Sequence, residues 1–358
     1  MKVAFVYDRV NKIGGAERVL EALHQLWPKA PLYTAVYYPP GAPWSAKFKV
    51  IPSFLNKFPF AQKHHELYPW LTPLAFESFD FSDFDLVVSV TSAEAKGILT
   101  KPGTKHLCYC LTPTRYLWSS YEQYFPSRFL KTLSQPLVKR LREWDKVASQ
   151  RPDVYLAISK TVQKRIKKYY QRDAQVVYPP VGTDKFFPAK TKTSKDHYFL
   201  VVSRLVPYKK IDLVVEAFNQ LGWPLKIIGT GSEMLGLKKM AQKNIEFLEQ
   251  LTDKDLLSYY QNCRALLFPQ VEDFGLVSLE AQACGKPVIA FSGGGALETV
   301  VEGKTGTFFK PQTAAALIKK MKEFDEKKYQ ADACRQNAQR FDQKTFLKNF
   351  YQQIEKII

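Results

Sequence analysis

No stretch of the 358 residues approaches the roughly 20 consecutive apolar residues of a membrane-crossing helix. The longest apolar runs, such as Leu86 to Val90 and Tyr198 to Val202, are strand-sized. The pattern of an export leader is also missing, because Lys2 is followed by a short apolar run that ends at Asp8. These absences predict a soluble, non-secreted chain. Cysteine is scarce: Cys108, Cys110, Cys263, Cys284 and Cys334, an odd number that suits reduced thiols in a cytoplasm. Cys108 and Cys110 alternate on an expected strand, and no further ligands follow at zinc-like spacing, so buried thiols are expected. The five histidines are scattered, and His64-His65-Glu66 is not a metal-binding helix motif. No metal site is expected. The first expected strand is not followed by G-x-G-x-x-G, which argues against a nicotinamide-binding first domain. Gly303-Lys304-Thr305 imitates the end of a phosphate-binding P-loop, but Glu298 stands where that motif needs glycine.

Negative charge is in short supply too. The chain has 52 Lys and Arg against 34 Asp and Glu, a net charge of +18. Residues 1–180 carry +12 of this, and Arg128 to Arg172 alone carry +10. Such a patch attracts polyanions, whether nucleic acid, anionic lipid or a phosphorylated substrate. A solvated helix face would have the same composition. With 46% hydrophobic and 24% charged residues, the composition excludes disorder for most of the chain. At roughly 150 residues per domain, the length predicts two domains.

Strands alternate with helices in both halves. Val3 to Tyr7 reads as a first strand, Asn11 to Gly15 as a loop, and Ala16 to Leu26 as a helix with Val19, Leu20, Leu23 and Leu26 at helical spacing. Further strands are expected at Leu32 to Tyr38, Asp85 to Val90, Lys105 to Leu111 and Val154 to Ile158, with a basic helix from Thr161 to Tyr170. Tyr178-Pro179-Pro180-Val181-Gly182 is a break, reinforced by the polar stretch Ala189 to Asp196. The pattern then restarts with a strand at Tyr198 to Ser203, a helix at Ile211 to Leu221 and a strand at Leu225 to Ile228. It continues with a strand at Asn244 to Leu248, a helix at Asp253 to Asn262 and a strand at Ala265 to Phe268. A helix over Gly275 to Cys284, a strand over Pro287 to Ala290 and a helix over Ala314 to Phe324 complete it. The expected fold class is α/β, with two doubly wound, Rossmann-like domains over 1–180 and 181–340. The tail, 341–358, is expected to be a helix that returns to the first domain. Ligands of open α/β sheets bind beyond the carboxyl ends of the strands, so two such domains facing each other would form a cleft.

Four features of the second domain stand at such strand ends. Arg204 and Lys209 flank a turn fixed by Pro207, where a planar fork and a point charge suit a diphosphate. Gly229 and Gly231 follow a strand and open a helix, where backbone can approach phosphate closely. Glu272 and Glu280 stand eight residues apart, one in a loop and one about two turns into the helix that follows. The amides of Phe274, Gly275 and Leu276 lie at that helix start without intrahelical acceptors, able to donate beside the Glu272 carboxylate. Gly293-Gly294-Gly295 then places a further flexible loop after a strand.

Together and in this order the motifs S-R-L-V-P-Y-K-K-I-D-L-V-V-E-A-F, G-T-G-S-E and E-D-F-G-L-V-S-L-E-A-Q-A-C-G-K-P-V-I-A resemble the retaining glycosyltransferases of family four, which have the GT-B fold. Gly14-Gly15-Ala16-Glu17 looks like that family's Gly-Gly-x-Glu loop. Thr112-Pro113-Thr114-Arg115-Tyr116-Leu117-Trp118 and Val177-Tyr178-Pro179-Pro180-Val181 look like the subgroup that adds mannose or a related sugar to lipid-linked O-antigen-type glycans. The resemblance runs nearly end to end. It implies that Arg204 and Lys209 hold the diphosphate of a nucleotide-sugar donor and stabilise its growing charge without a metal. It further implies that Glu272 and the amides after it hold the donor sugar's hydroxyls, and that Glu280 accepts from the ribose. Gly15 would bring its amide to the donor from across the cleft, and the backbone near Leu251 would meet the base. Arg115 and Tyr116 would lie on the acceptor side. Glu272 is not implied to be a nucleophile, because the leaving phosphate is thought to deprotonate the incoming hydroxyl on the same face. No cofactor is implied beyond the donor itself.

Two positions depart from the subgroup. Leu111 stands where relatives usually have His, expected near the donor sugar or the acceptor, and Gly182 stands where many have Asp. Aromatics crowd two segments of the first domain. Phe54, Phe58, Phe60, Tyr68, Trp70, Phe76, Phe79 and Phe81 are interleaved with Lys57 and Lys63, and Tyr116, Trp118, Tyr121, Tyr124, Phe125 and Phe129 precede the basic stretch. Any single one of these aromatics is expected to pack in the core, but the cluster as a whole, beside its cations, suits the interface of an anionic bilayer and a membrane-facing acceptor site. The expectation is a cytoplasmic enzyme, peripheral on the inner face of the cell membrane, with a lipid-linked or saccharide acceptor. Two alternatives stay open. A nucleic-acid binder would need recognition motifs that are not found. A non-catalytic GT-B relative acting as a binding or scaffold subunit would have little need to retain Arg204, Lys209, Glu272 and Glu280.

Overall fold

A computed structural model describes residues 1–119, 121–124, 127–189, 198–249 and 251–357, without the side chains of Gln123 and Leu130. Phe125 and most of the polar stretch 189–196 lie outside the described residues. The chain divides into two compact units: residues 1–179 with 346–358, and residues 180–345.

The first unit is built on a seven-stranded parallel sheet. Its strands are β1 (Val3–Tyr7), β2 (Leu32–Thr34), β3 (Val50–Pro52), β4 (Leu86–Thr91), β5 (Lys105–Cys110), β6 (Val154–Ala157) and β7 (Gln175–Val176). They lie in the order β3-β2-β1-β4-β5-β6-β7. The register pairs Val3 with Leu86 and Leu86 with Lys105 at the centre. All of β1 and β4 is buried, as expected of parallel strands covered on both faces. This is why these segments read as continuous apolar runs rather than alternating ones.

The second unit holds a six-stranded parallel sheet. Its strands are β8 (Phe199–Val202), β9 (Leu225–Ile228), β10 (Ile245–Leu248), β11 (Leu266–Phe268), β12 (Val288–Phe291) and β13 (Gly306–Phe309). The order is β10-β9-β8-β11-β12-β13. In both sheets the first strand of the unit pairs with its second on one side and its fourth on the other. That is the doubly wound arrangement, with its topological switch point between β1 and β4 in one unit and between β8 and β11 in the other.

The elements depart from the sequence expectations mainly at their ends. The second strand stops at Thr34, and Tyr37 joins the sheet region through a single bridge to Val10. The helix after Glu272 runs from Leu276 to Ala283 and the tail helix from Gln343 to Ile354. The short strands β3, β7 and β13 and the 21-residue helix Arg128–Ala148 were not anticipated as elements. Strands this short contain too few apolar positions for a period to register. In the tail helix, Phe346 and Phe350 are buried, and their rings each lie 5.8 Å from that of Tyr109 on β5. All five cysteines are free and buried.

The aromatic segments divide in two. Phe76 and Phe81 are core, with 0% and 2% exposure, and Phe79 packs against them. Phe54, Phe58, Phe60 and Trp70 stay on the surface, joined there by Leu67 and Leu74. In the second segment Tyr124 and Phe129 are exposed, and Leu133 one turn after Phe129 is exposed too. Among the described residues no helix is long and apolar enough to cross a membrane.

Candidate active site

The second unit brings several of the expected residues together at its switch point. Arg204 and Lys209 follow β8, and Glu272 follows β11, the neighbouring strand. The turn begins as expected at Pro207, with a single 3-10 turn over Pro207–Lys209 that ends on Lys210 in the left-handed region. This geometry carries the Lys209 side chain inward. Lys209 is 7% exposed, and its Nζ donates to Glu272 Oε1. The Lys209 ammonium also lies 5.2 Å from the centre of the Tyr208 ring. Arg204 remains exposed, and its guanidinium donates to the Tyr208 hydroxyl at 2.6 Å. Tyr208 therefore links the two cations, one through its ring and one through its hydroxyl.

Glu280 lies on the helix Leu276–Ala283, 3% exposed, and accepts from the Tyr260 hydroxyl at 2.8 Å. Gly275 is the N-cap of this helix, so the amides of Gly275 and Leu276 stand at its open end. Phe274 is buried, with its ring 5.6 Å from that of Phe341, which leaves its backbone as the part able to meet a ligand. Leu251 sits half-buried in the loop after β10, on the same edge of the sheet.

The glycines here have a packing reason. A Cβ on Gly229 would stand 1.9 Å from the Ser203 carbonyl oxygen, and one on Gly231 would stand 2.1 Å from that of Leu205. The loops after β8 and β9 thus touch backbone to backbone. The Gly293-Gly294-Gly295 run, read above as a flexible loop, also packs closely. Gly295 donates its amide to the Glu272 carbonyl at 2.8 Å, and a Cβ there would lie 2.3 Å from the Phe274 carbonyl. It is a backing plate for the Glu272 loop.

The first unit has its own cluster of charges at the β1–β4 switch point. Asp8 accepts from Thr91 Oγ1 at 2.7 Å, from the Ser92 amide at 2.7 Å and from the Ala95 amide at 3.0 Å. Arg9 beside it bonds to His65 Nε2. Burial and the Arg9 charge push His65 down to about 3. Burial raises the Glu94 carboxyl, which accepts from the Tyr116 hydroxyl. Gly15 is the N-cap of the helix Ala16–Leu26, and Glu17 on that helix accepts from Tyr7 at 2.8 Å. Arg115 is half-buried next to Tyr116. The segment that carries both is anchored by Asp145, which is fully buried. Asp145 accepts from Lys96 Nζ at 2.5 Å, Thr114 Oγ1 at 2.9 Å and Trp118 Nε1 at 2.7 Å. Removing one member of such a buried pair would strand a charge.

Residues 182–341 match the glycosyl transferases group 1 family. The match covers a little under half of the chain. The chain is 30% identical over 184 residues to the GDP-mannose-dependent alpha-(1-6)-phosphatidylinositol monomannoside mannosyltransferase of Mycolicibacterium smegmatis, an overlap of 43% of this chain and 48% of the relative. It is also similar to the O-antigen chain mannosyltransferase C of Escherichia coli, 30% identical over 210 residues, or 54% of this chain and 55% of the relative. The chain spans about half the length of the curated relatives it matches. Along its whole length the backbone resembles that of Anabaena Alr3699/HepE, solved in complex with UDP, with a TM-score of 0.74, 18% identity, 99% of this chain and 100% of that one. The fold is GT-B. The resemblance to family-four glycosyltransferases read from the motifs therefore holds.

Within the second unit, sequence reasoning passed over Tyr208, Tyr260 and Gln270. The tyrosines belong to motifs already singled out or to a helix core, and nothing in their spacing sets them apart. Gln270 is 2% exposed beside Glu272, and a glutamine at the end of an apolar strand was the available signal.

Proposed function

We propose that the protein is a retaining glycosyltransferase that moves a hexose from a nucleotide-diphosphate sugar to a lipid-linked saccharide. The observation that carries this reading is the convergence of Arg204, Tyr208, Lys209 and Glu272 at the switch point of the unit that matches the family model. Two cations there suit a diphosphate, and a carboxylate within reach of one of them suits sugar hydroxyls. Mannose is the favoured sugar, because relatives named for mannose transfer recur among the similar proteins. Guanine and uracil are both candidates for the base, since one relative is named for GDP-mannose and one neighbour was solved with UDP.

In the proposed step the bond from the anomeric carbon to the donor phosphate breaks, and its electron pair stays on that phosphate oxygen. Arg204 and Lys209 stabilise the charge that develops there. The acceptor hydroxyl bonds to the anomeric carbon on the same face, and its proton passes to the leaving phosphate. Glu272, neutralised by Lys209, orients the sugar rather than attacking it. Gly229, Gly231 and the amides of Phe274, Gly275 and Leu276 shape the pocket around donor and sugar, with Glu280 at the ribose and Leu251 at the base. Gly15 is assigned to the donor, and Arg115 and Tyr116 to the acceptor. The exposed Phe54, Phe58, Phe60 and Trp70 beside Lys57 and Lys63 support a peripheral contact with an anionic cytoplasmic membrane face.

The test needs no acceptor. Slow hydrolysis of GDP-mannose or UDP-glucose by the protein in EDTA, followed by proton NMR, reads the configuration of the sugar released. Release with retained configuration is expected. Inverted sugar would contradict the retaining step, and a requirement for added divalent metal would contradict its independence of metal.

A further inference from the structure

Gln270 follows β11 at the carboxyl end of the sheet, two residues before Glu272. Its side chain is buried, at 2% exposure, yet its carbonyl Oε1 has no hydrogen-bond partner among the described residues. Buried side-chain oxygens left in this state are uncommon and unfavourable. The amide nitrogen is directed elsewhere: Nε2 lies 3.5 Å from Glu272 Oε1, the oxygen that also receives Lys209. An amide is planar, so a nitrogen turned toward Glu272 turns the oxygen away from it. The backbone beneath is fixed, because Gln312 Nε2 donates to the Pro269 carbonyl at 2.7 Å.

We propose that Gln270 is a specificity-determining residue of the donor-sugar subsite, where its free Oε1 accepts a hydrogen bond from one hydroxyl of the transferred sugar. This rests on the reading of Lys209 and Glu272 as donor-site residues. Oε1 can only accept, and a sugar hydroxyl can donate to it while keeping its own lone pairs for other donors. Glu272 serves a different hydroxyl, so the two side chains together read two positions on the ring. A site that bonds a substrate hydroxyl rejects the analogue that lacks it, because the protein group is then left unpaired.

A glutamine that only positioned Glu272 would behave differently, and calorimetry separates the two. The full chain is titrated with GDP, GDP-mannose, UDP and UDP-glucose, and then with the monodeoxy analogues of whichever nucleotide sugar binds. Gln270→Leu should leave affinity for the nucleoside diphosphate within about twofold and weaken the nucleotide sugar about tenfold. One monodeoxy analogue should bind wild type and variant alike, and the others should keep the tenfold difference. Gln270→Asn, which retains the amide but shortens its reach, should repeat the pattern and excludes a packing fault. An equal loss for every analogue would overturn the proposal in favour of an indirect effect through Glu272. So would unchanged nucleotide-sugar affinity, or an equal loss for the diphosphate in both variants. A wild-type chain that binds no nucleotide sugar would overturn the donor-site reading itself, a result distinguishable from all of these.

Discussion

Lys209 and Glu272, 63 residues apart in sequence, form an ion pair that bridges the loops after two adjacent strands. With side-chain exposures of 9% and 19%, each charge depends on the other for part of its stabilisation. Lys209→Met should therefore cost about 2 kcal/mol of folding stability, less than a fully buried pair because Glu272 keeps some water. The double variant Lys209→Met with Glu272→Leu should recover most of that loss. Urea denaturation of the two single variants and the double variant measures the coupling. Single variants as stable as wild type would show that the pair carries no mutual stabilisation. Neither the single nor the double variant should bind a nucleotide sugar at wild-type strength.

The glycines of the site make a graded prediction. Gly229→Ala places a Cβ 1.9 Å from the Ser203 carbonyl at a φ of +140°. The expected cost is about 3 kcal/mol or more, because backbone must move. Gly295→Ala should be comparably severe and should also lower turnover, since it pushes on the Glu272 loop. Gly303→Ala has open space around it and should cost only the left-handed conformation, about 1 kcal/mol. Thermal unfolding of the three variants should preserve this order.

Stability should fall in acid through His106. Its ring is fully buried on β5, bonded to Ser89 at 2.8 Å, and burial pushes it from 6.5 down to about 3. The folded chain keeps it neutral while the unfolded chain takes up a proton below about pH 6.5. This contribution is whole above that pH and declines as pH falls toward 3, by about 1.4 kcal/mol per unit. His106→Gln should flatten the slope between about pH 6 and pH 4 by that amount. Urea midpoints for the two proteins measure it, and parallel slopes would contradict the assignment.

The surface aromatics test the membrane contact. Phe60 is 76% exposed and Trp70 is 53% exposed on a basic segment. Phe60→Ser and Trp70→Ser together should reduce sedimentation with phosphatidylglycerol vesicles roughly tenfold, with little effect on stability. Unchanged sedimentation would remove this surface from the contact.

The alternation of strand and helix was legible because parallel strands buried on both faces leave short apolar runs, as in Leu86 to Val90. Charges and glycines at strand ends were legible because Arg204, Lys209 and Glu272 recur at one edge of the sheet. Pairing was not legible. Nothing in the sequence says that Lys209 meets Glu272, or that Asp145 gathers Lys96, Thr114 and Trp118, because those contacts depend on strand order. Exposure was not legible either: Phe60 and Phe81 look alike in sequence, and only the packing of Phe81 against Tyr33 and Phe84 separates them.

The most direct test is calorimetric titration of the protein with GDP, UDP and their sugar conjugates, beside the Arg204→Ala variant. Arg204 is exposed and bonded to Tyr208, so its removal should leave folding intact. Saturable binding of one nucleotide by wild type is expected, weakened in the variant by about 1.5–3 kcal/mol, the worth of a charge-assisted hydrogen bond. Equal affinity in the two proteins would contradict the phosphate role of Arg204, and no binding by either would contradict the donor site.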